Sequence, residues 1–240
     1  MIKVSIYLII LNIMLLTLIE KKKEAEDTTS FVFKPEIPFS WKPGQFLHYT
    51  LKHKNPDNRG PDRYFTIASA PYEQVVQATT RFAKAGSSFK KALRAFKIGD
   101  SIEGVAPDGN FTLDNPSQES VFIAGGIGIT PFRSILLSFA HQKIPIKVTL
   151  LYANKTKDFV FKQELESIAK QNPNFKIHFI VDPKRIDENV IKKTVVNLKK
   201  PIFFVSGPEP MVEGIDELLK SLSIPKNHIK NDFFPGYDKL

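Results

Sequence analysis

Val121-Phe122-Ile123-Ala124-Gly125-Gly126-Ile127-Gly128-Ile129-Thr130-Pro131 is an apolar run that breaks into glycines and then at once into the start of a helix. A run of this length reads as a buried strand. Pro131 at the first helical position gives up no needed N–H, and the Thr130 hydroxyl is placed to cap the exposed amides. Glycines at the strand end let a flat ring or a phosphate come close to the backbone. Taken alone, the loop would serve equally well to do nothing more than join a strand to a helix.

Three further segments bear on that choice. Asp62-Arg63-Tyr64-Phe65-Thr66-Ile67-Ala68-Ser69-Ala70-Pro71 lies in a region rich in strand signals. Alternate side chains of an extended chain share a face, so Arg63 and Phe65 point the same way. A cation, a planar ring and the Thr66 hydroxyl suit a ligand with a diphosphate, a flat ring system and a hydrogen-bonding ring edge, as a dinucleotide flavin has. An amphipathic strand with Phe65 in the core and Arg63 in solvent fits the same residues. Gly86-Ser87-Ser88-Phe89-Lys90-Lys91-Ala92-Leu93 reads as a loop entering a helix. Ser87 and Ser88 fall where free backbone N–H groups collect, which makes an anion site or an ordinary N-cap. In Ile202-Phe203-Phe204-Val205-Ser206-Gly207-Pro208-Glu209-Pro210-Met211-Val212 a strand again ends in Gly and Pro before a helix.

In this order the four segments resemble the ferredoxin–NADP reductase superfamily. Arg63-Tyr64-Phe65-Thr66 with Ser69 resembles that family's Arg-x-Tyr-Ser/Thr flavin motif, and Gly86-Ser87-Ser88 its Gly-x-x-Ser pyrophosphate loop. Gly125 to Pro131 matches its Gly-Gly-x-Gly-x-x-Pro nicotinamide loop, and Ser206-Gly207-Pro208-Glu209-Pro210-Met211 resembles its Cys-Gly-Pro-x-Pro-Met element. The resemblance runs from about Thr17 to the C-terminus. It implies an FAD-binding antiparallel β-barrel followed by an α/β domain that binds NAD(P)H. By the same resemblance Arg63, Gly86, Ser87 and Ser88 hold the diphosphate, with Tyr64 and Ser69 in the flavin motif. Phe65 stacks on the flavin, and Thr66 hydrogen-bonds its reactive edge. Thr80 and Arg81 fall where relatives place another flavin-contacting segment. Gly125, Gly126, Gly128, Pro131, Gly207, Pro208 and Met211 form the nicotinamide side, flanked by Thr130 and Ser206. Thr66 and Ser206 are thus the candidate catalytic positions. Phe234 or Tyr237 would cover the flavin, unless that end is a packed C-terminal strand. Two residues depart from the pattern: Phe65 stands where the family has Tyr, and Ser206 where it has Cys.

The remaining sequence divides accordingly. From Leu16 to about Pro116, short strand candidates alternate with turn formers such as Asn55-Pro56-Asp57-Asn58-Arg59-Gly60-Pro61, which suggests a closed antiparallel barrel. The helix expected within it spans Lys90 to Phe96. Residues 117–240 alternate strand and helix patterns, as a parallel sheet with ligands at the carboxyl ends of its strands requires. Residues 1–15 are apolar and read as an N-terminal extension or an anchor; the run from Val4 to Ile19 falls short of the ~20 residues that a spanning helix needs. The expected location is the cytoplasm, with 1–15 as the segment that would carry any membrane association.

Composition narrows the function classes. The chain has 240 residues, 42% hydrophobic, and no cysteine. Disulfides, a cysteine-ligated iron–sulfur cluster and a thiol nucleophile are thereby excluded. The five histidines (His48, His53, His141, His178 and His228) show no metal-ligand spacing, and no metal is expected. The net charge of +9 comes from 28 Lys and 6 Arg scattered along the chain, which argues against a nucleic-acid partner. A basic surface would instead steer an acidic carrier such as a ferredoxin or flavodoxin. The expected activity is hydride transfer from NAD(P)H to FAD and electron delivery to a separate acceptor protein, by a monomer. Two other readings compete: a diaphorase-like reductase of free flavin or ferric chelates, and a non-enzymatic flavin-binding, redox-sensing subunit.

Overall fold

A computed structural model describes residues 13–82 and 86–234 of the chain. Two compact units divide it, Met1–Thr112 and Leu113–Leu240. The first is built on six antiparallel strands: β1 (Ile13–Ala25), β2 (Thr28–Pro35), β3 (Phe46–Thr50), β4 (Asp62–Thr66), β5 (Val76–Arg81) and β6 (Ser101–Val105). Their order is β4-β3-β6-β1-β2-β5. An isolated bridge between Ile67 and Ala78 joins the two ends of that order, and Ala68 N–H donates to the Gln77 carbonyl at 2.8 Å. The sheet thus closes on itself and leaves few strand edges unpaired. β1 begins at Ile13, so residues 13–15, read from the sequence as part of an extension or anchor, belong to a barrel strand; Ile13 to Leu15 pair with Glu103 to Val105. The rest of that stretch, 1–12, lies outside the described residues, and no helix among the described residues is long and apolar enough to cross a membrane.

The barrel interior is filled by Leu16, Leu18, Phe31, Phe33, Leu47, Tyr49 and Ile67. Helix α1 (Ser88–Ala95) plugs it with Phe89 and Leu93, four residues apart on one face and both fully enclosed. Burial of two such side chains contributes about 1.5–3 kcal/mol each. Ser87 caps α1 by accepting Lys90 N–H, and Lys21 reaches from β1 to the last carbonyls, those of Arg94 (2.8 Å) and Phe96 (3.0 Å). Trp41, the chain's single tryptophan, is buried against Phe39 and donates its indole N–H to the Ser69 carbonyl.

The second unit is a five-stranded parallel sheet in the order β11-β10-β7-β8-β9, with β7 (Ser120–Gly125), β8 (Val148–Asn154), β9 (Phe175–Val181), β10 (Ile202–Pro208) and β11 (Ile229–Phe234). Between them run α2 (Thr130–His141), α3 (Lys162–Gln171), α4 (Glu188–Thr194) and α5 (Glu209–Ser221). Every residue of β7 is buried, as a central strand covered on both faces requires. One face packs Val121, Ile123, Val205, Ile215 and Leu219; on the other, Phe122 lies against Phe132 and Phe204. The fold class is the one expected, a barrel plus a parallel α/β sheet.

Candidate functional site

In the parallel sheet the chain runs from β7 outward through β8 to β9, then returns to the other side of β7 with β10 and β11. Strand order reverses between β7 and β10, and ligands of such sheets bind where the carboxyl ends of the strands on either side of a reversal splay apart. The two glycine segments of the sequence leave the sheet there, side by side: Ala124 is in register with Ser206, and Gly125 follows it.

The glycines do different work. A Cβ on Gly128 would lie 2.1 Å from the Ser206 carbonyl oxygen, and one on Gly125 2.2 Å from the Met211 sulfur. Gly207 is less crowded, since a Cβ there would lie 3.2 Å from the Gly125 Cα. These three positions let the protein pack against itself. Gly126 differs: its φ is +52°, and a Cβ there would meet only Asn154 Oδ1, at 3.9 Å. The close approach expected of the whole loop is therefore open at Gly126 alone. The loop enters α2 through a 3-10 turn, Gly126–Ile129, so Thr130 is the first residue of the helix and not its cap. Its hydroxyl donates back to the Ile127 carbonyl at 3.1 Å. Pro131 does sit in the first turn, where no N–H is missed.

Ser206 is fully enclosed, and its hydroxyl donates to the Asp232 carboxylate at 3.2 Å across the β10–β11 pair. Burial pushes Asp232 up to about 6 from an ordinary 3.8, with the Ser206 hydrogen bond pulling the other way. Asp232 was not singled out from the sequence, where the end of the chain reads only as aromatic. Phe234 ends β11; its side chain, and Tyr237, lie outside the described residues.

On the barrel, the cross-strand pair Tyr49 and Arg63 shares one face. Arg63 lies over the Phe89 ring, and Phe65 packs between Phe89 and Tyr49 at 5.8 and 5.6 Å between centroids. Phe65 is thus half-buried against core rings, and the more exposed ring of the motif is Tyr64, 62% exposed and stacked on His48. The Arg63 side chain is only 12% exposed. Its Nη2 donates to both oxygens of Asp57, at 2.9 and 3.2 Å, and Nη1 to the carbonyls of Arg59 and Gly60. Arg63 Nε and Tyr49 Oη are buried without a hydrogen-bond partner among the described residues.

Asp57 joins this arginine to helix α1. Ser88 N–H donates to Asp57 Oδ2 at 3.0 Å, and Asp57 N–H donates to Ser88 Oγ at 2.8 Å. His53 Nδ1 contacts the Leu51 carbonyl at 2.7 Å and must carry the proton, so in the neutral ring Nε2 accepts from the Ser88 hydroxyl at 2.9 Å. Partial burial opposes the Asp57 charge, but the amides of Ser88 and Arg59 with the Arg63 guanidinium override it and hold the carboxyl at about 2. A groove of about 630 Å³ opens beside this cluster, lined by Lys54, Arg59, Gly86, Ser87 and Lys91 among others. A guanidinium, a helix N-terminus and surrounding cations make an anion cradle, and the orphaned Arg63 donor fits an acceptor-rich group. Of the other residues expected on the flavin side, Ser69 is enclosed and donates to the Val75 carbonyl, Thr66 and Thr80 are buried, and Arg81 is paired with Asp27.

Residues 122–217 match the family described as an oxidoreductase NAD-binding domain. The whole fold superposes on the cytochrome b5 reductase domain of Ulva prolifera nitrate reductase with a TM-score of 0.79 at 25% identity, covering 91% of this chain and 96% of that one. The fold is that of ferredoxin–NADP reductase-like modules, and its second unit matches an oxidoreductase NAD-binding domain. Among curated proteins the chain is 26% identical over 243 residues to the flavohemoprotein of Halalkalibacterium halodurans, covering 90% of this chain and 58% of that one. It is 25% identical over 231 residues to the glycine betaine monooxygenase reductase subunit of Chromohalobacter salexigens, covering 88% and 61%. The chain therefore spans about three fifths of the length of these relatives.

Two predictions follow from this geometry. Gly128→Ala forces a methyl into the Ser206 backbone and should cost about 3 kcal/mol or more, against about 1–2 kcal/mol for Gly126→Ala, which only imposes a left-handed alanine. Urea denaturation of the two variants checks the order; equal costs would remove the distinction between the glycines. For Asp232, the folded state holds a proton that the unfolded state releases, so the parent loses stability as pH rises from 3.8 to about 6. Asp232→Asn should escape that loss, gaining on the parent by about 1–3 kcal/mol between pH 4 and pH 7. Denaturation curves that keep a constant offset across this range would contradict the assignment.

Proposed function

We propose that the chain is the reductase module of an electron-transfer pair: an FAD-containing, NAD(P)H-dependent oxidoreductase that delivers electrons to a separate protein. The observation that carries this reading is the anion cradle at Arg63 and Ser88, on the barrel of a chain whose second unit matches an NAD-binding domain. A bound flavin supplies the redox chemistry, taking hydride and releasing electrons singly. The protein supplies position, and holding two reacting rings in place contributes about 7–11 kcal/mol of the barrier.

In this reading the Arg63 guanidinium and the amides at Ser87 and Ser88 bind the flavin diphosphate, and Lys54, Arg59 and Lys91 supply positive potential along the groove. The nicotinamide dinucleotide lies at the strand ends by Gly126, with Pro208 and Met211 shaping the pocket wall. Ser206 and Asp232 form a buried polar pair beneath that wall. Thr66 holds the reactive flavin edge. The absence of cysteine means that this chain carries no iron–sulfur cluster of its own on thiolate ligands. Electrons therefore leave to an acceptor outside it, and the lysine-rich surface suits an acidic one. The name of the Chromohalobacter relative, a reductase subunit, supports a division of labour of that kind.

Purified protein should be yellow and should release FAD, not FMN, on heating. Mixing it in a stopped-flow apparatus with NADH and with NADPH should bleach the flavin, and the faster donor identifies the cofactor. Flavin that stays oxidised with both donors would favour a non-enzymatic binding role. Gly126→Ala should leave FAD content unchanged and raise the KM for the nicotinamide donor several-fold. An unchanged KM would move the donor site away from this loop.

A further inference from the structure

Asp57 stands on the anion cradle as a phosphate would. Its two oxygens take the Arg63 guanidinium and the Ser88 amide at the N-terminus of α1, the donors that the reading above assigns to the flavin diphosphate. We propose that Asp57 is a built-in counter-anion of this cradle: the 53–60 segment closes over it in the flavin-free chain, and the diphosphate displaces the carboxylate when flavin binds. The proposal rests on the flavin reading.

Four features support it. The bonds that fasten the segment converge on the same two residues: Asp57 N–H and His53 Nε2 meet Ser88 Oγ, and the Arg59 and Gly60 carbonyls accept from Arg63. The segment's ring contact with the core is at its start, where His53 meets Phe89 edge-on at 6.4 Å between centroids; Lys54, Asn55, Pro56, Asn58 and Arg59 are all exposed. It can lift without opening the barrel core. Arg63 Nε is a buried donor that Asp57 does not reach, whereas a diphosphate offers more acceptor oxygens than one carboxylate. Finally, an unpaired guanidinium that is 12% exposed would be costly, and Asp57 supplies its partner whenever no flavin is present.

The device has a measurable consequence. If the cradle is open only part of the time, the observed affinity for flavin falls by that fraction. Asp57→Asn keeps an acceptor for Ser88 N–H but removes the negative charge that faces Arg63. Full-length protein stripped of flavin should bind FAD about tenfold more tightly or better as Asp57→Asn than as the parent, the gain corresponding to a segment closed about 90% of the time. Titration by quenching of FAD fluorescence measures it. If the parent binds FAD and the variant binds no tighter, Asp57 is a permanent brace for Arg63 and the proposal fails. Inorganic pyrophosphate provides an arm independent of flavin, read as a rise in thermal midpoint. If neither protein binds FAD but pyrophosphate stabilises Asp57→Asn more than the parent, the counter-anion stands and the flavin reading falls; equal stabilisation there overturns the counter-anion as well. Should the variant misfold, hydrogen exchange on the parent decides. FAD, or pyrophosphate where FAD does not bind, should speed exchange of the Asp57 amide, which loses Ser88 Oγ, and slower exchange would overturn the proposal.

Discussion

The approach of Gly128 to the Ser206 carbonyl fixes the geometry of the second unit. With no room for a Cβ, the turn leaving β7 rests directly on the backbone of β10. The sheet can then reverse its strand order at that seam without a gap. Gly125, Gly207 and Met211 fill the seam from the other side, so the carboxyl ends of the two strands are held at one spacing. Only Gly126, in a left-handed conformation, looks out onto free space. A rigid floor with a single open position is what binding a dinucleotide at a strand reversal asks of a scaffold.

The barrel meets a different demand. It keeps one guanidinium largely out of solvent, and burial of a charge is tolerated only with partners around it. Three kinds of partner surround Arg63: the Asp57 carboxylate, the backbone carbonyls of its own loop and the face of Phe89. Helix α1 contributes to the same cluster through its Ser88 amide, while Phe89 and Leu93 anchor that helix in the core. Hydrophobic packing thus sets the place of the helix, and the helix sets the place of the Ser88 amide that meets Asp57.

Much of this was legible in the sequence because apolar periodicity depends on local residues alone. The alternation of strands and helices after Ser120, the short strands before Pro107 and the common face of Arg63 and Phe65 all come from spacing. What the pattern missed depends on contacts between distant residues. Nothing around Asp57 distinguishes its carboxylate from that of any turn former, since its partner at Ser88 lies 31 residues on. Asp232 is ordinary until β11 lays it beside Ser206. The glycines of one loop look equivalent in one dimension, and they separate into packing and open positions only when β10 is placed against them. Thr130 reads as a cap because the 3-10 turn before it leaves no mark in composition.

The single tryptophan gives the chain a reporter whose location is known. Trp41 is enclosed in the barrel unit, with its N–H on the Ser69 carbonyl at the end of the flavin-motif segment. Its emission therefore follows the first unit alone. Four of the five α-helices among the described residues lie in the second unit, so helical circular dichroism is weighted towards the other half of the molecule. Indole fluorescence and ellipticity followed through one denaturation would resolve whether the two halves come apart together or in sequence, without a label on either.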